Sequence, residues 1–384
     1  MIILIERFNL NIAIIDADLI ARKKHRFPNL ACMKLSGYYK NVIGCDVCLL
    51  RNYENINNYD KVFISKVFTD TYIDESILQL PNVAYGGTGF FYDKAQPLPK
   101  EIEHCMPDYH LYDEYVQEKI SNGESKNNFK YYTDYSIGFL TRGCFRKCEF
   151  CVNQNYNKVM VHSPLEEFLD ISRKKICLLD DNILGCKDWK YLIQQLIDTG
   201  KPFRFQQGMD ERILTREKCE LLFSAKYDGD MTFAFDNIAD YDLIESKLKL
   251  IREYSDRRLR FYCFCGFDRN DKWDADFWKQ DLYDLFKRIE LLMKYKCIPY
   301  IMRFYRYEES PYRGTYINVA TWCNQPMLFK KLSYREFCEY FDSRVKTKHT
   351  SSYYKYMNKV EEEMPDLAYK YFDMKFSDLN IIKN

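Results

Sequence analysis

The sequence predicts an α/β protein: a doubly wound N-terminal domain (Rossmann- or flavodoxin-like) followed by a partial (β/α)6 barrel of TIM type. Three observations predict it. Short β-branched apolar runs such as Asn11–Asp16 (NIAIID) read as strands buried on both faces in a parallel sheet. Stretches with helical spacing alternate with these runs over roughly residues 10–310. Acidic, amide and glycine residues follow the runs directly, where parallel α/β folds present their ligands.

Composition bounds the reading. At 384 residues the chain has room for two domains and an added piece. The expected divisions are residues 1–115, a polar linker over 116–130, a barrel over 131–310 and a mostly helical extension over 311–384. Apolar residues make up 47%, enough for a large core. A net charge of +1 argues against an electrostatically driven nucleic-acid binder, and leaves RNA open only as a substrate reached through a local basic patch. The 15 cysteines, an odd number with no secretory pattern ahead of them, point to a reducing cytoplasm where thiols serve metals. The opening Met1–Ile5 run is too short for a signal peptide or a membrane span.

In the first domain, Asn11–Asp16 is the first strand, and Asp16-Ala17-Asp18 opens a polar loop running through His25. A helix is expected over Asn29–Asn41, stopped by Gly44. Val47–Leu50, Lys61–Phe68 and Pro81–Tyr85 are the next strands, the last running into Gly86-Gly87-Thr88-Gly89. That turn reads equally as a tight turn needing positive φ or as a ligand cradle. Cys45 and Cys48 form C-x2-C, but a strand position would point neighbouring side chains to opposite faces, which favours packed thiols.

The second domain opens with a strand at Tyr135–Leu140. Helices follow at Pro164–Ser172, Trp189–Asp198, Thr215–Ala225, Tyr241–Tyr254 and Leu282–Tyr295. They alternate with strands at Lys175–Asp180, Pro202–Gln206, Met231–Phe235, Arg258–Phe264 and Ile298–Phe304. Beyond them Pro311–Thr315 reads as a turn, Tyr334–Phe341 as a helix with Phe337 and Tyr340 inward, Arg344–His349 as a solvated basic run and Tyr353–Phe376 as helix.

Between the first two barrel strands stands Leu140-Thr141-Arg142-Gly143-Cys144-Phe145-Arg146-Lys147-Cys148-Glu149-Phe150-Cys151. Three cysteines at C-x3-C-x2-C spacing can ligate three irons of a cubane cluster and leave the fourth open for chemistry. Structural zinc would need a fourth ligand; Val152, Asn153, Gln154 and Asn155 offer no Cys or His, and His162 is the nearest candidate. Inert packed thiols are the remaining alternative.

The spacing, with Phe150 before the last cysteine, resembles the signature of the radical S-adenosylmethionine (SAM) superfamily. The resemblance implies a [4Fe-4S] cluster on Cys144, Cys148 and Cys151, SAM chelating the open iron, and Phe150 near the adenine. It implies reductive cleavage of SAM to a 5′-deoxyadenosyl radical. The strand ends then read as SAM contacts: Asp180, Asp181 and Asn182 for the amino group, where the superfamily's commoner Gly-Gly-Glu is absent. Arg212 in Gly208-Met209-Asp210-Glu211-Arg212 would meet the carboxylate, Asp236 and Asn237 the ribose, and the backbone at Gly266 the adenine. Each group by itself reads equally as helix N-capping. Arg142, Arg146 and Lys147 would favour a reduced cluster and an anionic electron donor such as flavodoxin or ferredoxin, or simply form a solvated face.

The first domain resembles the cobalamin (B12)-binding-like domain found ahead of the radical SAM core in one subgroup, through its strand order, Gly86-Gly87, and Pro107-Asp108-Tyr109 leading to the core. The subgroup's Asp-x-His-x-x-Gly cobalt loop is missing; His25 stands in that region without the spacing and reads as an exposed loop residue. Bound cobalamin, and with it methyl transfer, stays open here. The expectation is a radical SAM enzyme with an unidentified substrate; the alternatives are a cobalamin-dependent methyltransferase, a methylthiotransferase with a second cluster on N-terminal cysteines, and a zinc-stabilised α/β binding module.

Overall fold

The computed structural model describes residues 10–153 and 155–379. The Met1–Ile5 run and Gln154 lie outside the described residues. The fold is mixed α/β with parallel sheets, in two compact units: Met1–Asp180 with Thr199–Phe203, and Asp181–Asp198 with Arg204–Asn384. This division falls inside the expected barrel, not at residues 116–130.

The first unit carries a parallel sheet in the order β2-β1-β3-β4, formed by Asp46–Leu50, Asn11–Asp16, Lys61–Ser65 and Val83–Gly86. The unbroken apolar run of β1 is explained by burial on both faces. Ile12 and Ile14 pack with Cys32, Leu35, Cys45 and Ile102, while Ala13 and Ile15 pack with Val62, Ile64 and Ile73. Cys45 lies in the first of these clusters and Cys48 packs on the second, so the pleat sends the two thiols to opposite faces.

Asn29 caps the helix Leu30–Gly37, its Oδ1 accepting from the N–H groups of Ala31 and Cys32 at 3.1 and 3.3 Å. A π-helical segment, Tyr38–Ile43, continues the helix to Gly44, whose φ of 87° ends it. Two expectations need correction. The Asp16–His25 stretch opens with a short helix, Ala17–Ala21, because Asp16 caps it by accepting from Leu19 N–H at 3.3 Å. The supposed linker contains the helix Asp113–Ser121; Tyr115, Val116, Phe129 and Tyr132 pack with Leu19, Met33, Tyr109 and Tyr112. Its polar sequence is an outer face around a buried aromatic stripe.

β5 (Tyr135–Gly138) pairs in parallel with β8 (Lys175–Leu178), and Ile176 N–H reaches the Pro202 carbonyl just ahead of β9 (Phe203–Phe205). The helix expected over Pro164–Ser172 shrinks to one 3-10 turn, Leu165–Glu167. Tertiary contacts take the backbone groups a helix would need: Tyr109 donates to the Phe168 carbonyl at 2.6 Å, and Asp170 N–H donates to Ser136 Oγ at 3.0 Å. Gly138 permits this packing, since a Cβ there would stand 2.3 Å from the Phe168 ring.

In the second unit β10 (Met231–Ala234), β11 (Leu259–Cys265) and β12 (Cys297–Arg303) form a parallel sheet, and Met209 bridges to Phe233. The helices Trp189–Asp198, Arg216–Ser224 and Tyr241–Arg252 stand where helical spacing put them. The next helix starts earlier than expected, at Ala275, because Asp274 caps it through Phe277 N–H at 2.8 Å. Pro311–Thr315 runs straight into a helix, Arg313–Cys323. The tail is three helices, Ser352–Glu363, Pro365–Tyr371 and Phe376–Leu379, with the first break set at Pro365. Phe337 is buried as expected, whereas Tyr340 is exposed. No helix among the described residues is long and apolar enough to cross a membrane.

Candidate functional site

The cysteine loop is the tip of a hairpin that the sequence did not announce. β6 (Thr141–Arg142) and β7 (Met160–Val161) pair antiparallel, and His162 N–H donates to the Leu140 carbonyl at 2.8 Å. Gly143 turns the chain out of β6 with φ at 92°; a Cβ there would meet the Lys158 carbonyl oxygen at 2.6 Å and the Tyr156 ring at 2.7 Å. Within the tip, Lys147 Nζ donates to the Tyr156 carbonyl at 2.5 Å and Cys151 N–H to the Cys148 carbonyl at 2.9 Å.

Asp180, two residues past β8, anchors the hairpin to the sheet. Its Oδ2 accepts from Leu140 N–H at 3.2 Å, and its Oδ1 accepts from Thr141 N–H and Thr141 Oγ1, each at 2.6 Å. Asp180, Leu140 and Thr141 are all buried. The role given to Asp180 by these bonds is that of a loop anchor.

The donor set fits the cluster implied by the resemblance. Cys144, Cys148, Cys151 and Phe150 are all half-buried. Backbone N–H groups point at two of the sulfurs: Arg146 N–H to Cys144 Sγ at 3.3 Å and Asn153 N–H to Cys151 Sγ at 3.5 Å. Such donors tune the potential of an iron–sulfur centre. Among the described residues no three His, Cys, Asp or Glu side chains converge on one ion; a cubane asks for a different arrangement, one thiolate on each of three irons. His162, the nearest candidate for a fourth zinc ligand, places Nε2 2.9 Å from Glu103 Oε1.

The remaining expected ligands belong to the second unit. Asp181 is half-buried, and Asn182 is buried at the head of a 3-10 turn, Ile183–Gly185. Arg212 donates to Asp210 at 2.7 Å and to Asp240 at 3.0 Å, and Asn237 caps the turn that contains Asp240. Asp236 Oδ1 accepts from Phe264 N–H at 2.9 Å, and Gly266, at φ 75°, donates N–H to Asp281 at 2.8 Å. These bonds gather the ends of β10 and β11 with the segment after β9.

Three residues that sequence reasoning missed hold those ends. Arg288 is buried and donates to the carbonyls of Phe235, Asp236 and Phe264 at 2.8, 3.3 and 2.9 Å. Asp281 joins Gly266 to Tyr316, whose hydroxyl donates to it at 2.7 Å. Glu211 is fully buried; Oε2 accepts from Ala234 N–H at 3.0 Å, while Oε1 has no hydrogen-bond partner among the described residues. Burial pushes the Glu211 carboxyl up to about 8. The sequence signal was available for Arg288, an arginine on the apolar face of an amphipathic helix.

At the carboxyl ends of β1 and β3, where doubly wound sheets take ligands, polar groups are spent on one another. Tyr112 OH donates to Asp16 at 2.8 Å, Asn29 donates to Ser65 at 3.0 Å, and Asp18 accepts from Val67 N–H at 2.6 Å and from Thr71. His25 is not the exposed residue expected: its side chain is 11% exposed, with Nε2 3.9 Å from Asp16. Burial raises the Asp16 carboxyl to about 7. The Gly86–Gly89 turn packs on the chain itself, since a Cβ at Gly87 would stand 2.3 Å from the Lys66 carbonyl oxygen. These residues do not fit a histidine-ligated cobalamin.

No family model matches the chain. Among solved structures, it is similar to the cobalamin-dependent S-adenosylmethionine radical enzyme OxsB with aqua-cobalamin and S-adenosylmethionine bound, at 13% identity and TM-score 0.45, covering 97% of this chain and 65% of that one. It is also similar to the apo, selenomethionine-labelled form of OxsB, at 13% identity and TM-score 0.46, covering 96% of this chain and 64% of that one. This chain thus spans just under two thirds of the length of the enzyme it matches.

Proposed function

We propose that this chain is an enzyme that holds a [4Fe-4S] cluster on Cys144, Cys148 and Cys151 and uses it on S-adenosylmethionine to modify an unidentified substrate. The observation that carries the reading is the cysteine hairpin itself: three half-buried thiols at the tip of an antiparallel hairpin that follows β5, its base fixed by Asp180, with backbone N–H groups on two sulfurs. When bound, such a cluster supplies an electron to the sulfonium of S-adenosylmethionine, which starts hydrogen abstraction from a substrate. The protein's part is positional. Gly143 and Asp180 fix where the thiols stand, and Phe150 offers an apolar surface beside the last of them.

Anaerobic reconstitution followed by iron and acid-labile sulfide analysis tests this. The expected result is about four of each per chain, with 5′-deoxyadenosine formed when a reductant and S-adenosylmethionine are added. Cys148→Ala is expected to abolish that product while the chain stays folded. Zinc without sulfide in the purified protein would overturn the proposal in favour of a zinc-stabilised module.

A further inference from the structure

We infer that Glu103 is a positioning residue for the cysteine loop, clamping both feet of its hairpin to the N-terminal sheet layer. The inference rests on the function proposed above and concerns a residue outside the cysteine motif. Glu103 closes the short helix Lys100–Glu103. Its Oε1 lies 3.4 Å from Arg142 Nη2, 2.9 Å from His162 Nε2 and 3.0 Å from Lys34 Nζ.

The placement of these partners matters more than their number. Arg142 is the last residue of β6 and His162 the first after β7, so one side chain leaves each foot of the hairpin and both end on one carboxylate oxygen. Arg142 is steered there by Phe139, whose ring centroid lies 3.3 Å from the guanidinium carbon. Lys34, on the helix Leu30–Gly37, fixes Glu103 from behind, and its side chain is only 6% exposed.

The hairpin needs such a clamp. Its strands are two residues each, and a ladder that short is marginal without outside support. Asp180 secures Leu140 and Thr141 on one foot only. Glu103 is half-enclosed, with 12% of its side chain exposed, so its bonds are weakly screened. Loss of the carboxylate would let the feet part and loosen the three-thiol geometry at the tip. A merely structural Glu103–Lys34 pair would stabilise the N-terminal domain and leave the tip untouched.

The test compares Glu103→Gln with Glu167→Gln, which instead breaks the neighbouring pair between Glu167 and His104. Two readouts are taken: the rate at which a chelator strips iron from the reconstituted protein, and the rate of tryptic cleavage after the exposed Lys147 in the apo chain. Glu103→Gln is expected to speed both by roughly fivefold, the effect of one lost hydrogen bond of ordinary strength. Glu167→Gln is expected to match the wild type in both. Wild-type rates in a folded Glu103→Gln protein would overturn the clamp. Should Glu103→Gln not fold, His162→Phe removes one foot contact and keeps Lys34 on Glu103; it is expected to speed both rates in the same direction, and wild-type rates there would likewise overturn the clamp. If the wild type takes up no sulfide, the functional reading fails, and the tryptic rate in the apo chain still decides on the clamp.

Discussion

Replacing Asp180 by alanine removes the acceptor for Leu140 N–H, Thr141 N–H and Thr141 Oγ1, at 3.2, 2.6 and 2.6 Å. The hydroxyl can turn to another acceptor, but the two N–H groups are fixed by the backbone and lie where both residues are 0% exposed. An orphaned buried donor costs about 1–3 kcal/mol, so two cost about 2–6 kcal/mol. Asp180→Asn keeps one carbonyl oxygen and turns an NH2 toward the other donor, so about half that loss is expected. Tryptophan fluorescence is the wrong assay, because Trp189, Trp273, Trp278 and Trp322 all belong to the second unit. Amide hydrogen exchange over residues 135–142 reads the site directly. A loss of about 2 kcal/mol speeds exchange by roughly thirtyfold. Asp180→Ala should reach that rate at Leu140 and Thr141, with Asp180→Asn between it and the wild type. Unchanged exchange in Asp180→Ala, or an equal effect of both substitutions, would refute the anchoring argument.

Gly143→Ala puts a methyl group 2.6 Å from the Lys158 carbonyl and requires φ near 92°. The strain is about 1–3 kcal/mol, and iron bound after reconstitution should fall below about half the wild-type level at matched protein concentration. Glu211, raised to about 8 by burial, is a second, independent handle. A carboxyl with a raised folded-state pKa gives its full stability below the unfolded value near 4.5, and loses it as pH rises toward about 8. Urea midpoints followed by tryptophan fluorescence should therefore fall over that window in the wild type and stay flatter in Glu211→Gln. Parallel pH profiles for the two proteins would count against a protonated Glu211.

Much of the fold is legible in the order of the residues. The apolar strand runs and the amphipathic helices, such as Trp189–Asp198, stand where periodicity puts them, because solvent exclusion acts on local patterns. The misreadings share a cause. Pro164–Ser172 has helical spacing, but Tyr109 and Ser136 claim its backbone groups from elsewhere in the chain. The polar stretch over 116–130 looks like a linker because its two buried side chains, Val116 and Phe129, are spaced among polar ones. His25 looks exposed in a basic run, yet it turns inward beside Asp16.

By itself the sequence determined where the parallel strands fall, the parallel α/β class and the three thiols of the loop, since spacing along a chain is enough to set what a short loop can ligate. The tertiary structure alone decided that this loop is a hairpin tip, that Asp180 and Glu103 hold its base, and that the carboxyl ends of β1 and β3 close on themselves. Those outcomes depend on donors and acceptors dozens of residues apart meeting in low-dielectric surroundings, where an unmet polar group is costly enough to dictate the packing.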